Sequence, residues 1–221
     1  TIRHLFRRHL AITAASSIGP GILGAVAAAL GDPTLALTLI TSVGEVDSAA
    51  PSAAMWKLSR LDPASDEYRR GFDEFIVEFG CRGPNEWDIR SEVWETQPAL
   101  VTVLVDRMRG AADADAPHTR NDRNIANREA AEAHVRAVLA DQPEVLAQFE
   151  MGLASAHTYL AGRERTKTNV IRVLHEVRMA IRELAARHDY TMSQMCMLLD
   201  EELDAFVAGP DEFRPRLGAR E

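Results

Sequence analysis

The stretch from Pro143 to His188 constrains this chain more than any other. Apolar residues recur along it at Phe149, Leu153, Ala156 and Leu160, then at Val170, Leu174, Val177, Ile181 and Leu184. Steps of four and three mark one face of a helix that packs on other helices. Carried through the gap, the count places Arg163 and Lys167 on the same face. A buried cation is costly unless it is paired and hydrogen-bonded. Two readings follow: the helix is solvated or bent where Ala161 and Gly162 stand, or an acidic element meets it and a polar site forms inside a bundle.

Length sharpens the choice. Unbroken, this helix would be about 69 Å long at about 1.5 Å per residue. A compact chain of 221 residues has a radius of gyration of about 17 Å. The expected fold is therefore all-α, an elongated bundle built around one long helix, or one that bends, with Gly162 as the natural hinge.

Composition points the same way. Aromatics are 6% of the chain, and Ala and aliphatic residues dominate, which suits packed helices. A net charge of −8 disfavours general nucleic-acid binding. Cys81 and Cys196 make no disulfide framework and no CxxC pair, as expected of a reducing, cytoplasmic setting. No zinc-ligand spacing occurs, and His175-Glu176-Val177-Arg178-Met179 fails the HExxH pattern at its fifth residue. No catalytic or metal-binding residue is therefore assigned. The chain starts at Thr1, not Met, and we read residues 1–221 as a single helical domain cut from a longer protein.

The first segment, Thr1 to Ser17, reads as a helix with a basic start. Leu10 to Leu30 carries no charge, which resembles a membrane span or signal sequence. A buried helix pair turning at Gly19-Pro20-Gly21 accounts better for a run so rich in Ala, Gly, Ser and Thr, and no membrane is expected. Gly19, Gly21 and Gly24, with Glu45 beyond, imitate a dinucleotide fingerprint. That motif needs a preceding strand and a βαβ unit, and neither pattern is present.

A short helix runs from Pro33 to Ile40 and is ended by Gly44; Pro51 opens another through Leu61. Ser65 or Asp66 caps a helix through Phe79, and Gly80 stops it. Pro98 opens a helix through Met108. Residues 111–125 read as an exposed, mobile loop, because Asp, Asn and Arg crowd it. Asn127 caps a helix through Ala140; short elements follow His188, and Pro210 onward reads as a polar tail.

The least ordinary segment is Gly80-Cys81-Arg82-Gly83-Pro84-Asn85-Glu86-Trp87-Asp88-Ile89, with Trp94 just after it. It has no helical or strand period. Charges set beside large aromatics in an irregular segment suggest a loop held in one shape, either to cap neighbouring helices or to contact a ligand or another domain.

This segment, followed by Trp94 and Pro98, resembles a motif of phosphoenolpyruvate-utilising enzymes of the phosphoenolpyruvate synthase and rifampicin phosphotransferase type. So do Gly162-Arg163-Glu164-Arg165-Thr166-Lys167 and Met197-Leu198-Leu199-Asp200-Glu201-Glu202-Leu203, and the resemblance runs roughly from Ser65 to Leu203. Cys81 departs from it, standing where relatives often have His or Met. The resemblance implies the helical, acceptor-binding region of an ATP-dependent small-molecule kinase. Its partners would be the ATP-grasp domain and the phosphohistidine swivelling domain of the same parent chain, together with a small-molecule acceptor. ATP and Mg would serve those domains, and no cofactor is expected in this chain. The chain itself shows no glycine-rich ATP loop and no Thr-x-His motif, so it is expected to be non-catalytic alone. The competing readings are a helical linker or protein-interaction module and, third, a stand-alone ligand sensor.

Arg82, Glu86, Trp87, Asp88, Trp94, Arg163 and Lys167 are thus the candidates for substrate binding or domain contact. Glu86 and Asp88 are the available counter-charges for the two helix cations. The loop is expected to dock near Arg163 through a bidentate Arg163–carboxylate pair, with Trp87 or Trp94 lining an acceptor pocket.

Overall fold

Local chemistry sets several of the helix ends. The Ser65 hydroxyl accepts from the Tyr68 amide at 3.1 Å and opens a helix whose first turn carries Asp66 and Glu67. Pro143, which has no amide proton to leave unpaired, opens the long helix. Asp189, in the left-handed region at φ 54, ends it.

The computed structural model describes residues 2–43 and 49–221, and every regular element among them is helical. In chain order these are α1 (Ile2–Ala15), α2 (Ile18–Ala29), α3 (Leu35–Ile40), α4 (Ala50–Ser59), α5 (Asp66–Phe79), α6 (Ala99–Arg109), α7 (Pro117–Val138), α8 (Pro143–His188), α9 (Met192–Met195), α10 (Leu203–Ala208) and α11 (Arg214–Arg220). Single turns of 3-10 helix stand at Asp113–Asp115, Asp200–Glu202 and Pro210–Phe213. Gly44 and Glu45 lie outside the described residues.

Three expectations need correction. The break between the first two helices falls at Ser16 and Ser17, and Gly19-Pro20-Gly21 lies in the first turn of α2. Residues that early in a helix need no amide partner, so proline fits there. Second, only the start of residues 111–125 is outside α7. Its polar sequence is held helical by tertiary contacts: buried Arg128 donates to the carbonyls of Thr41 and Ser42, and Arg136 bridges to Glu150 at 2.6 Å. Third, the segment after Pro210 is no tail. Phe213 and Leu217 are buried with Tyr190, Met195 and Phe206, and Glu202 clamps Arg216 at 2.8 Å and Arg220 at 2.6 Å.

Helix α8 is unbroken through Gly162, where a Cβ would stand 3.4 Å from Ile12 of α1. Its glycine therefore faces a neighbouring helix, with no break in the backbone ladder. Both α1 and α2 pack along α8. The approach is closest at Gly19, where a Cβ would overlap the backbone of Gly152 and Ala156. The first glycine of the dinucleotide-like pattern is thus a packing contact between two helices. By length and apolarity Ile2–Ala29 could also cross a membrane; in the fold Gly19, Leu23, Val26 and Ala27 are buried.

Among the described residues, hydrophobic burial is divided among three clusters. One, at the N-terminal end of α8, joins Leu23 and Leu39 to Val135, Leu139, Phe149 and Leu153. Another, at its C-terminal end, gathers Ala185 with α9 to α11. The third lies within α4, α5 and α6, around Met55, Leu58, Phe75, Val101 and Val105. The middle of α8 belongs to none of them.

Candidate functional site

Residues 80–95 leave α5 and fold back on themselves. The Trp94 amide donates to the Arg82 carbonyl and the Glu95 amide to the Gly80 carbonyl, each at 2.9 Å. Two glycines permit the closure. A Cβ on Gly80 would press on the Glu95 side chain at 2.8 Å, and one on Gly83 would lie 3.1 Å from the Val93 Cα. Trp94 seats the closed end on α5, its ring 5.4 Å from that of Phe75.

The loop docks on the polar middle of α8. Arg178 is fully buried, at 0% exposure. Its guanidinium donates to the carbonyls of Glu86 at 3.0 Å, Asp88 at 3.1 Å and Ile89 at 3.3 Å. An irregular loop has no ladder to absorb its carbonyls; here one arginine takes three of them. Burial pulls the Arg178 pKa down, against the pull of Cys81 and Asp88. Arg178 also donates to His175 Nδ1 at 3.3 Å. That nitrogen must accept, so the proton of neutral His175 sits on Nε2, which meets Glu95 at 2.8 Å. Farther along, Arg182 pairs with Glu92 at 3.1 Å.

Glu86 is the acidic centre of the contact and is 7% exposed. One carboxylate oxygen accepts from Arg82 Nε at 2.5 Å and the other from Lys167 Nζ at 2.9 Å. Burial alone would raise its pKa, but these two cations and their hydrogen bonds outweigh it, and the pKa is lowered from its ordinary 4.5. The charge is thereby kept in a site where an unpaired carboxylate would take up a proton.

The sequence candidates divide accordingly. Arg82, Glu86 and Lys167 come together in one network. Asp88 contributes its carbonyl to Arg178, while its carboxylate pairs outward with Arg90 at 3.3 Å. Trp87 is 45% exposed and stacks on His9 of α1, ring centres 5.7 Å apart. Arg163 does not reach the loop: its side chain is 41% exposed and touches its neighbour Glu164 at 3.3 Å. The expected bidentate Arg163 pair is therefore replaced by the Lys167–Glu86 contact, one turn on.

The sequence reading missed Arg178, His175 and Arg182, and also His9, whose Nδ1 lies 3.0 Å from the Thr166 hydroxyl. The first omission has a geometric cause. A strict count of sevens drifts about 20° per heptad from a straight helix. Four heptads separate Phe149 from Val177, so the seam has swung by about 80° there, and Val177 is 37% exposed. A count of eighteen, about five turns, stays on the buried face. It leads from Phe149 to Lys167 and Ala185, from Leu153 to Ile171, and from Leu160 to Arg178. Arg178 was thus legible as a core position had the straight-helix period been used.

Two cavities flank the Arg82–Glu86–Lys167 network. The larger, about 550 Å³, has Pro51 and Met55 of α4 on one side and Trp87, Trp94 and Lys167 on the other. A second, about 320 Å³, lies between the end of α5 and the Arg165–Arg172 face of α8. Among the described residues, no group of three or more His, Cys, Asp or Glu side chains is placed to hold a metal ion.

Residues 59–164, just under half of the chain, match the family described as the rifampicin phosphotransferase fourth domain. No curated protein gives a significant match to the chain. The gripped loop lies wholly inside the matched segment, and the gripping side chains from Lys167 onward lie beyond it. Over residues 59–164, a stretch that includes α5, α6 and the loop between them, this chain is thus similar to the rifampicin phosphotransferase fourth domain.

Proposed function

We propose that this chain is the acceptor-binding helical domain of an ATP-dependent small-molecule phosphotransferase, working in the cytoplasm and not catalytic by itself. The observation that carries the reading is the cavity of about 550 Å³ beside the braced loop. Its size suits a drug-sized molecule, and such sites combine apolar walls with a few fixed polar groups. Here Pro51, Met55, Trp87 and Trp94 supply apolar wall, and Lys167 and Glu86 the polar groups. The network that holds Glu86 also fixes the loop, so the wall would be formed before the ligand arrives.

In this reading the phosphate chemistry belongs to the ATP-grasp and phosphohistidine domains of the parent chain, where ATP and Mg would act. This domain would present an acceptor hydroxyl to them. The test is calorimetric titration of the purified chain with rifampicin and with a panel of amphiphilic hydroxyl compounds. Saturable binding to the chain, weakened at least tenfold by Trp87→Ala, is expected. No saturable binding by any member, or binding indifferent to Trp87→Ala and Lys167→Met, overturns the reading. ATP turnover by the chain alone would equally contradict it, because phosphoryl transfer needs a phosphate cradle and metal ligands.

A further inference from the structure

The smaller cavity has a different chemistry from its neighbour. Arg165, Thr168, Asn169 and Arg172 stand on one face of α8, at the three- and four-residue steps that bring side chains together. Arg82 and Cys81 face them across about 320 Å³, and among the described residues Glu78 is the single carboxylate in the lining. Three guanidiniums and two neutral polar side chains therefore converge on one space. Arg82 is itself nine-tenths buried and fixed by Glu86 through Nε, which orients its fork before any ligand arrives. Among the described residues the ion pairs on this part of α8 engage Arg163, Lys167, His175 and Arg182, and none engages Arg165 or Arg172.

From this convergence we propose that the cavity binds a phosphate-class oxyanion, either inorganic or carried on a small molecule. Guanidinium forks match the tetrahedral oxygens of phosphate and give paired, charge-assisted hydrogen bonds. Thr168 and Asn169 add neutral donors. The volume exceeds that of a phosphate alone and leaves room for a small organic moiety. Arg82 lines both cavities, but Arg165, Thr168, Asn169 and Arg172 line the smaller and not the larger, so the inference does not depend on the acceptor reading of the larger cavity.

Cys81 in the cavity wall provides the readout. The full chain carrying Cys196→Ser is treated with iodoacetamide, and alkylation of Cys81 is followed by mass spectrometry in pyrophosphate, inorganic phosphate, citrate or sodium chloride at equal ionic strength. The inferred site requires pyrophosphate or phosphate to slow the reaction severalfold in a saturable way. Arg165→Gln combined with Arg172→Gln should abolish the protection without unfolding the chain, as both side chains lie at the exposed surface. Arg82 is left intact because it braces the loop. Equal protection by sodium chloride would reduce the effect to screening, and protection by citrate alone would assign the site to carboxylates; either result overturns the proposal. So does protection that survives in the double variant, or no protection at all. Calorimetry with pyrophosphate, on the parent and the double variant, checks binding independently of the thiol.

Discussion

The ends of α8 and its middle are parts of one continuous helix held by different forces. At the ends, Phe149 and Ala185 sit in apolar clusters where any side chain of suitable volume serves. In the middle, Lys167, His175, Arg178 and Arg182 hold an irregular loop through charge and directed hydrogen bonds. Apolar burial is non-directional and tolerates small shifts. The polar contact fixes the loop in one register, because each donor has a named acceptor. The cost is vulnerability: removing one partner leaves a buried group unsatisfied.

The largest expected effects contrast these two regions directly. Phe149→Ala should cost about 3–5 kcal/mol through the cavity it leaves. Arg178→Met keeps most of the apolar stem but abandons three carbonyls, and should cost about 3 kcal/mol or more. Urea denaturation measures both. The contrast is sharpened by Phe149→Leu and Arg178→Lys. The first should recover much of the loss because the site asks for volume. The second should recover little, since an ammonium cannot span three carbonyls as the planar fork does. Wild-type stability in the Arg178→Lys variant would mean that charge, and not geometry, holds the loop.

A smaller effect separates the paired cation from the one that faces solvent. A double-mutant cycle on Glu86→Gln and Lys167→Met should give a coupling of about 1–2 kcal/mol, since Lys167 is only partly buried. The same cycle with Arg163→Met should give none, and Arg163→Met alone should stay within about 0.5 kcal/mol. Coupling to Arg163 and none to Lys167 would refute the docking geometry.

The smallest effects are set by pH. The Glu86 pKa is lowered from 4.5, so its contribution to stability is present above pH 4.5 and is lost as pH falls through the folded value. His9 is also lowered, from 6.5, chiefly by burial and then by Arg163. Its neutral ring is favoured in the fold, so stability from α1 is full above pH 6.5 and declines below it. Acidification below pH 6.5 should therefore weaken the hold of α1 before that of the Glu86 network, whose loss begins only below pH 4.5. Histidine and carboxylate titrations by NMR give the two pKa values. An unshifted His9 would remove α1 from the site.

Much of this was legible in the linear chain. Pro143 and His188 bound α8 as the apolar period required, Ser65 caps the start of α5 as its hydroxyl allows, and Gly80 ends α5 in right-handed backbone, where a Cβ would crowd Glu95. The odd composition of residues 80–94 marked the loop. Residues 117–125 were misread because local propensity was weighed without Arg128, whose acceptors lie in the segment after α3. The same holds for the C-terminal segment, where Leu217 is apolar alone in sequence and buried only because Tyr190, Met195 and Phe206 converge on it. His9 was beyond reach altogether, since nothing in the order of residues states that α1 lies against Thr166 and Trp87.

By itself, then, the sequence determined the helical class, the length and limits of the long helix, and the presence of cations where apolar residues were due. These follow from period, propensity and caps, which act over a few turns. Tertiary structure decided which cation meets Glu86, that Arg178 is buried beneath the loop, and which side of α8 faces which cavity. Those outcomes depend on the straight-helix rotation accumulated over many turns, and on side chains brought together from positions some ninety residues apart. A phase error too small to notice within one turn becomes, at that distance, a different face of the helix.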